Sequence, residues 1–442
     1  MMRRFVDIPR SGRFLLRNAS WLSATAEPSG DDEIMRGDIV IDDGRIAFMG
    51  ASSPDVADAA IVDLRGGLAL PGFVDAHTHL DKGHIWPRTP NPDGTFYGAI
   101  TNVKIDRETS WSTSDVRARM EFGLRCAYAH GTVAIRTHLD SLGKQAAISW
   151  PLFSEMRAEW KGRIDLQASA LFPFDLALDF PDEFQNILDH VVRYGGVLGA
   201  VCYRGDPLTD RIDAALDIFF RAAKEQGLDL DFHVDESDSP DARALEPIAD
   251  AALRHDFRGR ILCGHCCSLA LMEDGDRKRI AEKLAAARIA VVSLPMCNMY
   301  LQDRRAGRTP RWRGVAPLHE LAAAGVSVMV ASDNTRDPFY AYGDLDVLEV
   351  WREATRILHL DHPYGLTPRM VGAVPAEELG FSGRGVLREG ASADLVLVAA
   401  RNLNELFGRP WSDRVVIRDG RALDAAPPDY RELDGLSASA AG

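Results

Sequence analysis

Leu68-Ala69-Leu70-Pro71-Gly72-Phe73-Val74-Asp75-Ala76-His77-Thr78-His79-Leu80-Asp81-Lys82 is an apolar run of strand length that ends in polar side chains. In a strand, residues two apart share a face, so His77 and His79 point the same way. Two imidazoles on one face make half of a metal site. Alone, a His-x-His pair is more often a surface or loop feature. Its meaning depends on what the rest of the chain brings beside it.

Leu68–Ala76 is the first of eight such runs. The others are Thr132–Thr137, Ile164–Leu171, Gly199–Tyr203, Leu228–Val234, Arg260–Gly264, Ala290–Leu294 and Val326–Ala331. Helix-like segments lie between them, among them Ser114–Ala129, Arg211–Glu225, Asp241–Arg254 and Asp276–Ala286. Near-continuous apolar strands alternating with helices imply a parallel sheet covered on its outside. Eight units over roughly 260 residues match a (β/α)8 TIM-type barrel, with an open doubly wound sheet as the alternative. Outside this rhythm the two chain ends share a texture of short strands and turns. Phe14-Leu15-Leu16 and the hairpin Asp38–Ile46 with its Asp-Gly turn lie at one end; Ala393–Val398 and Arg414–Arg421 lie at the other. We expect the ends to meet in one small β domain, and the Ala/Ser-rich last residues to fray.

The 442 residues suffice for a barrel plus an accessory domain, and 46% hydrophobic with 26% charged residues is ordinary for a globular chain. A net charge of −14 with scattered Lys and Arg argues against nucleic acid as a partner and suits a neutral or weakly basic small molecule. The N-terminal MMRRFVDIPRSGRFLLRNAS is basic but lacks the apolar core of a signal peptide. No run reaches the ~18 apolar residues of a membrane helix, so no membrane partner is expected. Cys126, Cys202, Cys263, Cys266, Cys267 and Cys297 are few and two are adjacent, which reads as a reducing, cytoplasmic setting. Self-association into a homo-oligomer stays open.

The strand ends carry the chemistry. The fifth run closes in Phe232-His233-Val234-Asp235-Glu236, the sixth in Cys263-Gly264-His265 and the eighth in Ala331-Ser332-Asp333-Asn334. Barrel active sites are assembled at the C-terminal ends of several strands. Four strand ends that each supply His or Asp point to a metal site. The bland alternatives are a solvated Glu236, a helix-capping Asp333 and a core His265. Cys263-Gly264-His265-Cys266 also has the spacing of a redox pair, but it follows a mid-barrel strand instead of opening a helix in a compact domain.

These residues, in this order, resemble the amidohydrolase superfamily and within it the cytosine-deaminase-like branch. The likeness runs from Pro71–Lys82 through Arg136-Thr137-His138-Leu139-Asp140, His233–Glu236, Gly264-His265 and Asn298–Gly314. It continues in Ser332-Asp333-Asn334, Asp337-Pro338-Phe339-Tyr340 and Gly390–Leu395. The resemblance implies a (β/α)8 barrel over 69–382 and a small β-sandwich built from 1–68 and 383–442. It implies that His77, His79, His233 and Asp333 hold one divalent metal ion, zinc or iron, with Glu236 and His265 as catalytic groups that do not ligate it. Asp333 would also accept a proton. Relatives that bridge two metals use a lysine on the fourth strand; Gly199-Ala200-Val201-Cys202-Tyr203-Arg204-Gly205 has none, which favours one metal.

The expected chemistry is hydrolysis. A divalent ion lowers the pKa of a water towards ~7, His265 hydrogen-bonds the developing centre, and Glu236 gives a proton to a ring nitrogen. Lys82 is expected in the substrate pocket, His138 either in it or supporting the site from behind, Asn298 and Gln302 near it, and Trp312 and Phe96 in packing. Against the branch's pattern, Phe174 stands where a glutamine reads the pyrimidine amide edge, Asn334 where a second aspartate stands, and Phe339 where a tryptophan stands. Loss of hydrogen-bonding partners rejects a substrate strongly. The expected substrate is therefore an amino-substituted heterocycle other than cytosine: isocytosine-, creatinine-, triazine- or pterin-like. The competing functions are hydrolysis of a cyclic amide or an N-alkylamino heterocycle and, from another class, non-catalytic binding of a small molecule.

Overall fold

Eight parallel strands carry the middle of the chain in the computed structural model, which describes residues 5–29, 33–53, 56, 58–202, 211–365, 367–409 and 413–438. They are β1 (Phe73–Thr78), β2 (Thr132–Asp140), β3 (Asp165–Leu171), β4 (Leu198–Val201), β5 (Leu230–Val234), β6 (Ile261–His265), β7 (Ile289–Ser293) and β8 (Val328–Val330). β1 to β3 pair in order, as do β4 to β8. The seams between the two groups are hydrogen-bonded. Val201 N donates to Phe172 O at 2.8 Å beside β3, and Asp333 N donates to His77 O at 2.8 Å beside β1. The parallel α/β arrangement therefore closes on itself, consistent with the expected TIM-type barrel.

Helices follow the strands as the apolar spacing requires. Thr113–His130 starts where Ser112 Oγ accepts from Asp115 N at 3.2 Å, and it ends at Gly131, whose φ of 108° no branched residue tolerates. Arg211–Gln226 and Asp274–Ala287 match their expected spans closely, whereas the helix expected from Asp241 begins only at Leu245. A further helix, α1 (Phe96–Thr109), stands between β1 and the helix ending at His130.

The run Leu68–Ala76 is two strands, not one. Leu68–Pro71 pairs antiparallel with Leu395–Val398, and only Phe73–Thr78 enters the ring. Gly72 separates them, because a Cβ there would meet Val133 Cγ1 at 2.3 Å. Leu68–Pro71 belongs to a second, eight-stranded sheet drawn from both ends of the chain. This sheet contains the hairpin Ile34–Asp42/Arg45–Gly50, turned by Asp43 and Gly44 at positive φ. It buries its own apolar cluster, including Phe14, Trp21, Ile39, Ile41, Leu395, Leu397 and Ile417.

Met1–Arg4, Tyr203-Arg204-Gly205 of the fourth run and residues 439–442 of the Ala/Ser-rich tail lie outside the described residues. No helix among the described residues is long and apolar enough to cross a membrane. All six cysteines are buried and unpaired. Burial pushes the Cys263 and Cys266 thiols well up, which removes the thiolate a redox pair needs.

Candidate active site

The C-terminal ends of β1, β5 and β8 converge. His77 Nε2 and His79 Nε2 lie 3.1 and 3.3 Å from His233 Nε2, and 3.6 and 3.2 Å from Asp333 Oδ1. All four side chains are at most 6% exposed. Burial, and then the neighbouring imidazoles, push the pKa of His77 and His233 well down; burial and then Lys82 do the same to His79. The rings are therefore neutral and offer lone pairs. Burial pushes the Asp333 carboxyl up to about 7, against the lowering effect of the Cys297 thiol and the Asn334 N–H beside it. Converging lone pairs and a buried carboxylate are costly without a cation, and three imidazoles with one carboxylate are a donor set that fits a divalent metal.

Local backbone helps the convergence. Asp235, His265 and Asp333, each at or just past a strand end, have φ of 50°, 68° and 65°. Such left-handed residues cost energy and persist where surrounding bonds hold them. At Asp333 that bond is its N–H to His77 O.

Glu236 and His265 stand beside the cluster. Asn298 Nδ2 lies 3.1 Å from Glu236 Oε1 and 2.9 Å from His265 Nδ1, and the latter two atoms are 3.3 Å apart. Burial first, and the Asp333 charge second, push the Glu236 carboxyl well above its ordinary range. Burial lowers His265 to about 3, so its ring is neutral.

Above these groups lies a cavity of about 300 Å³. Its polar lining includes Lys82, Arg107, Asp140 and Asn334, and its apolar lining includes Phe172 and Phe339. Lys82 Nζ lies 3.2 Å from Asp140 Oδ1, while Arg107 Nη1 donates to Asp140 Oδ2 at 2.8 Å. Lys82 also sits over the Phe339 ring, 5.4 Å from its centre. Asn334 Nδ2 donates to Asp337 Oδ2 at 2.6 Å. One face of α1 walls the cavity with Phe96, Ile100, Val103, Lys104 and Arg107, the i, i+4, i+7 spacing of a helix face.

Lys82, Asn334 and Phe339 are placed at the cavity wall. One pocket expectation needs correction, and for His138 the supporting alternative is favoured. Phe174 does not line the cavity: β3 ends at Leu171, Phe174 N bonds Val201 O at 3.2 Å across the seam, and Phe172 lines the space instead. His138 is absent from the cavity lining and packs among the imidazoles, its ring centre 3.9 Å from that of His77 and its Nε2 3.1 Å from Asp231 Oδ1. Asp231 also accepts from Arg136 Nη1 at 2.9 Å, so a buried polar chain runs under the site. Phe96 is a cavity residue as well as a packing one. Sequence reasoning missed Arg107, Asp140, Ile100 and Asp231. The only available signal was alternation, since Asp231 lies two residues before His233 and Asp140 two after His138.

The amidohydrolase family model matches residues 60–160 and 180–423. A pterin deaminase of Rhizobium rhizogenes is 52% identical over 98% of this chain and 99% of its own length. An N-isopropylammelide isopropyl amidohydrolase of Pseudomonas is 25% identical, over 82% and 87%. Among solved structures, the 5-methylcytosine deaminase of Klebsiella pneumoniae bound to 5-fluorocytosine superposes with a TM-score of 0.81 at 25% identity, covering 94% of this chain and 98% of that one. This chain belongs to the amidohydrolase family, in its cytosine-deaminase-like branch, and is a hydrolytic deaminase of an amino-substituted heterocycle.

Proposed function

We propose that the substrate is a pterin-type ring, a fused bicycle carrying an exocyclic 2-amino group beside a 4-oxo group. Water adds its oxygen to the ring carbon that bears the amine; one of its protons replaces, by way of the protein, the one given to the ring nitrogen, the other passes to the amino group, and the C–N bond breaks to leave a ring oxo group and free ammonia. The observation that carries the substrate class is the near full-length 52% identity to a pterin deaminase. The flat apolar surfaces of Phe172 and Phe339 in a cavity of about 300 Å³ support a ring larger than a pyrimidine.

His77, His79, His233 and Asp333 would hold one divalent cation, zinc or iron; both ions accept imidazole and carboxylate ligands. When bound, that ion supplies Lewis-acid activation of the attacking water. Glu236, kept protonated by burial beside Asp333, donates to a ring nitrogen and makes the adjacent carbon electrophilic. His265 is neutral and hydrogen-bonds the tetrahedral centre. Lys82, oriented by Asp140, donates to the ring oxo group. Residues 1–68 and 383–442, with the strand Leu68–Pro71 completed across the expected boundary, would form one small β-sandwich beside the catalytic barrel, a reading supported by the two-ended sheet and its separate apolar cluster.

The test is product analysis with zinc- and iron-loaded protein, offered pterin, cytosine and an N-alkylamino triazine in turn. Free ammonia and an intact 2,4-dioxo bicycle from pterin are expected. Ring opening, a released alkylamine, or turnover of cytosine in preference to pterin overturns the proposal.

A further inference from the structure

We infer that Asn298 is a positioning residue whose one amide nitrogen fixes where both Glu236 and His265 carry their protons. The inference rests on the roles proposed above for those two groups. An amide nitrogen donates and cannot accept. Asn298 Nδ2 faces Glu236 Oε1 at 3.1 Å and His265 Nδ1 at 2.9 Å, so both of those atoms accept. A neutral imidazole that accepts at Nδ1 holds its proton at Nε2. A carboxylic acid that accepts at one oxygen holds its proton at the other. The amide thus clamps the inner atoms of the two groups and leaves Glu236 Oε2–H and His265 Nε2–H for the substrate.

Three observations agree. His265 Nε2 is buried with no partner in the protein, as a donor reserved for a ligand would be. Glu236 and His265 both line the cavity, while Asn298 is 0% exposed and does not. The 3.3 Å between Glu236 Oε1 and His265 Nδ1 is the separation that a donor shared between two acceptors allows. The consequence is chemical. His265 is a donor to the developing oxyanion and not a base, and Glu236 enters the reaction as the acid. Asn298 itself touches neither substrate nor cation. It sits on the short helix Pro295–Leu301 after β7, so a seventh strand connection takes part in a site whose other members come from β1, β5, β6 and β8.

The test begins with unaltered, zinc-loaded protein labelled with ¹⁵N in its twelve histidines. The His265 resonances are identified as those missing from His265→Asn. Nε2 is expected at a pyrrole-type shift and Nδ1 at a pyridine-type shift. The reverse assignment means that the amide presents its oxygen to the pair and overturns the inference without any functional variant. Asn298→Ala is then expected to lower kcat by about 10²-fold with KM changed only a few-fold, the cost of loosening one preorganised donor. Asn298→Asp, which can only accept, is expected to move the His265 proton to Nδ1 in the same spectrum and to lose more activity than the alanine variant. Asn298→Ala within threefold of the parent kcat overturns the inference. If Glu236→Gln is also fully active, the proposed acid role fails as well; if Glu236→Gln is inactive, that role stands and only the clamp is lost.

Discussion

The floor of the cavity and its wall are built on different principles. On the floor, His77, His79, His233 and Asp333 leave strand ends of a hydrogen-bonded ring and are almost wholly buried. On the wall, α1 contributes side chains from an inserted helix, with Ile100 44% exposed. Strand ends fixed by a closed sheet hold reacting groups within the fractions of an ångström that catalysis requires. A helix laid across the mouth can change its face without disturbing the ring. Chemistry is tied to the scaffold, and recognition is hung beside it.

The floor should break first and most completely. Removing the cation with a chelator, or replacing His233 with Ala, should reduce ammonia release to background. Re-addition of zinc or iron should restore the chelated parent but not the variant, as read by activity and bound metal together. Next comes Glu236→Gln, which should retain metal by elemental analysis and lose kcat by on the order of 10³-fold. Metal lost with activity would move Glu236 into the ligand set and blur the division drawn within the floor.

The wall should answer more gently. Phe339→Ala removes one aromatic face, worth about 1 kcal/mol, and should raise KM by roughly fivefold to tenfold with kcat little changed. A fall in kcat without a change in KM would show that the wall also orients the reacting centre.

The smallest effect lies outside the cavity, where the end sheet meets the barrel. Arg414 Nη1 donates to Asp346 Oδ1 at 2.8 Å and to His130 O at 2.9 Å. Burial alone would raise the Asp346 carboxyl, but Arg414 and His130 outweigh it and hold the group at about 2, against an ordinary 3.8. A depressed carboxyl stabilises the fold above its unfolded pKa and loses that contribution as pH falls through the folded one. Arg414→Ala should therefore cost on the order of 1–2 kcal/mol at neutral pH. The gap in Tm between parent and variant should close between pH 4 and 2. A gap that is constant over that range would assign the effect to packing.

Much of the floor was legible before the fold was known. Apolar runs reveal strands because a covered parallel sheet buries both faces, and a polar residue directly after such a run reveals a strand end. His77, His79, His233, His265 and Asp333 all carry that signature. The split of Leu68–Ala76 was not legible, because an unbroken apolar run says nothing about which sheet each half joins. The pocket role of Phe174 failed, and the choice between two roles for His138 stayed open, for a related reason. Sequence spacing gives the face of a residue, but where β3 stops and how deep a side chain sits are set by neighbouring strands.

The sequence by itself determined the alternation of strands and helices, the strand ends that bear His, Asp and Glu, and the kinship that names the reaction class. Only the tertiary structure decided that three imidazole nitrogens and one carboxylate oxygen converge, that Asn298 reaches both Glu236 and His265, and that α1 walls the cavity. The physical reason is range. Periodicity and strand-end chemistry are local properties of a few residues, whereas a distance between atoms 156 positions apart, such as His77 Nε2 and His233 Nε2, exists only once the ring has closed.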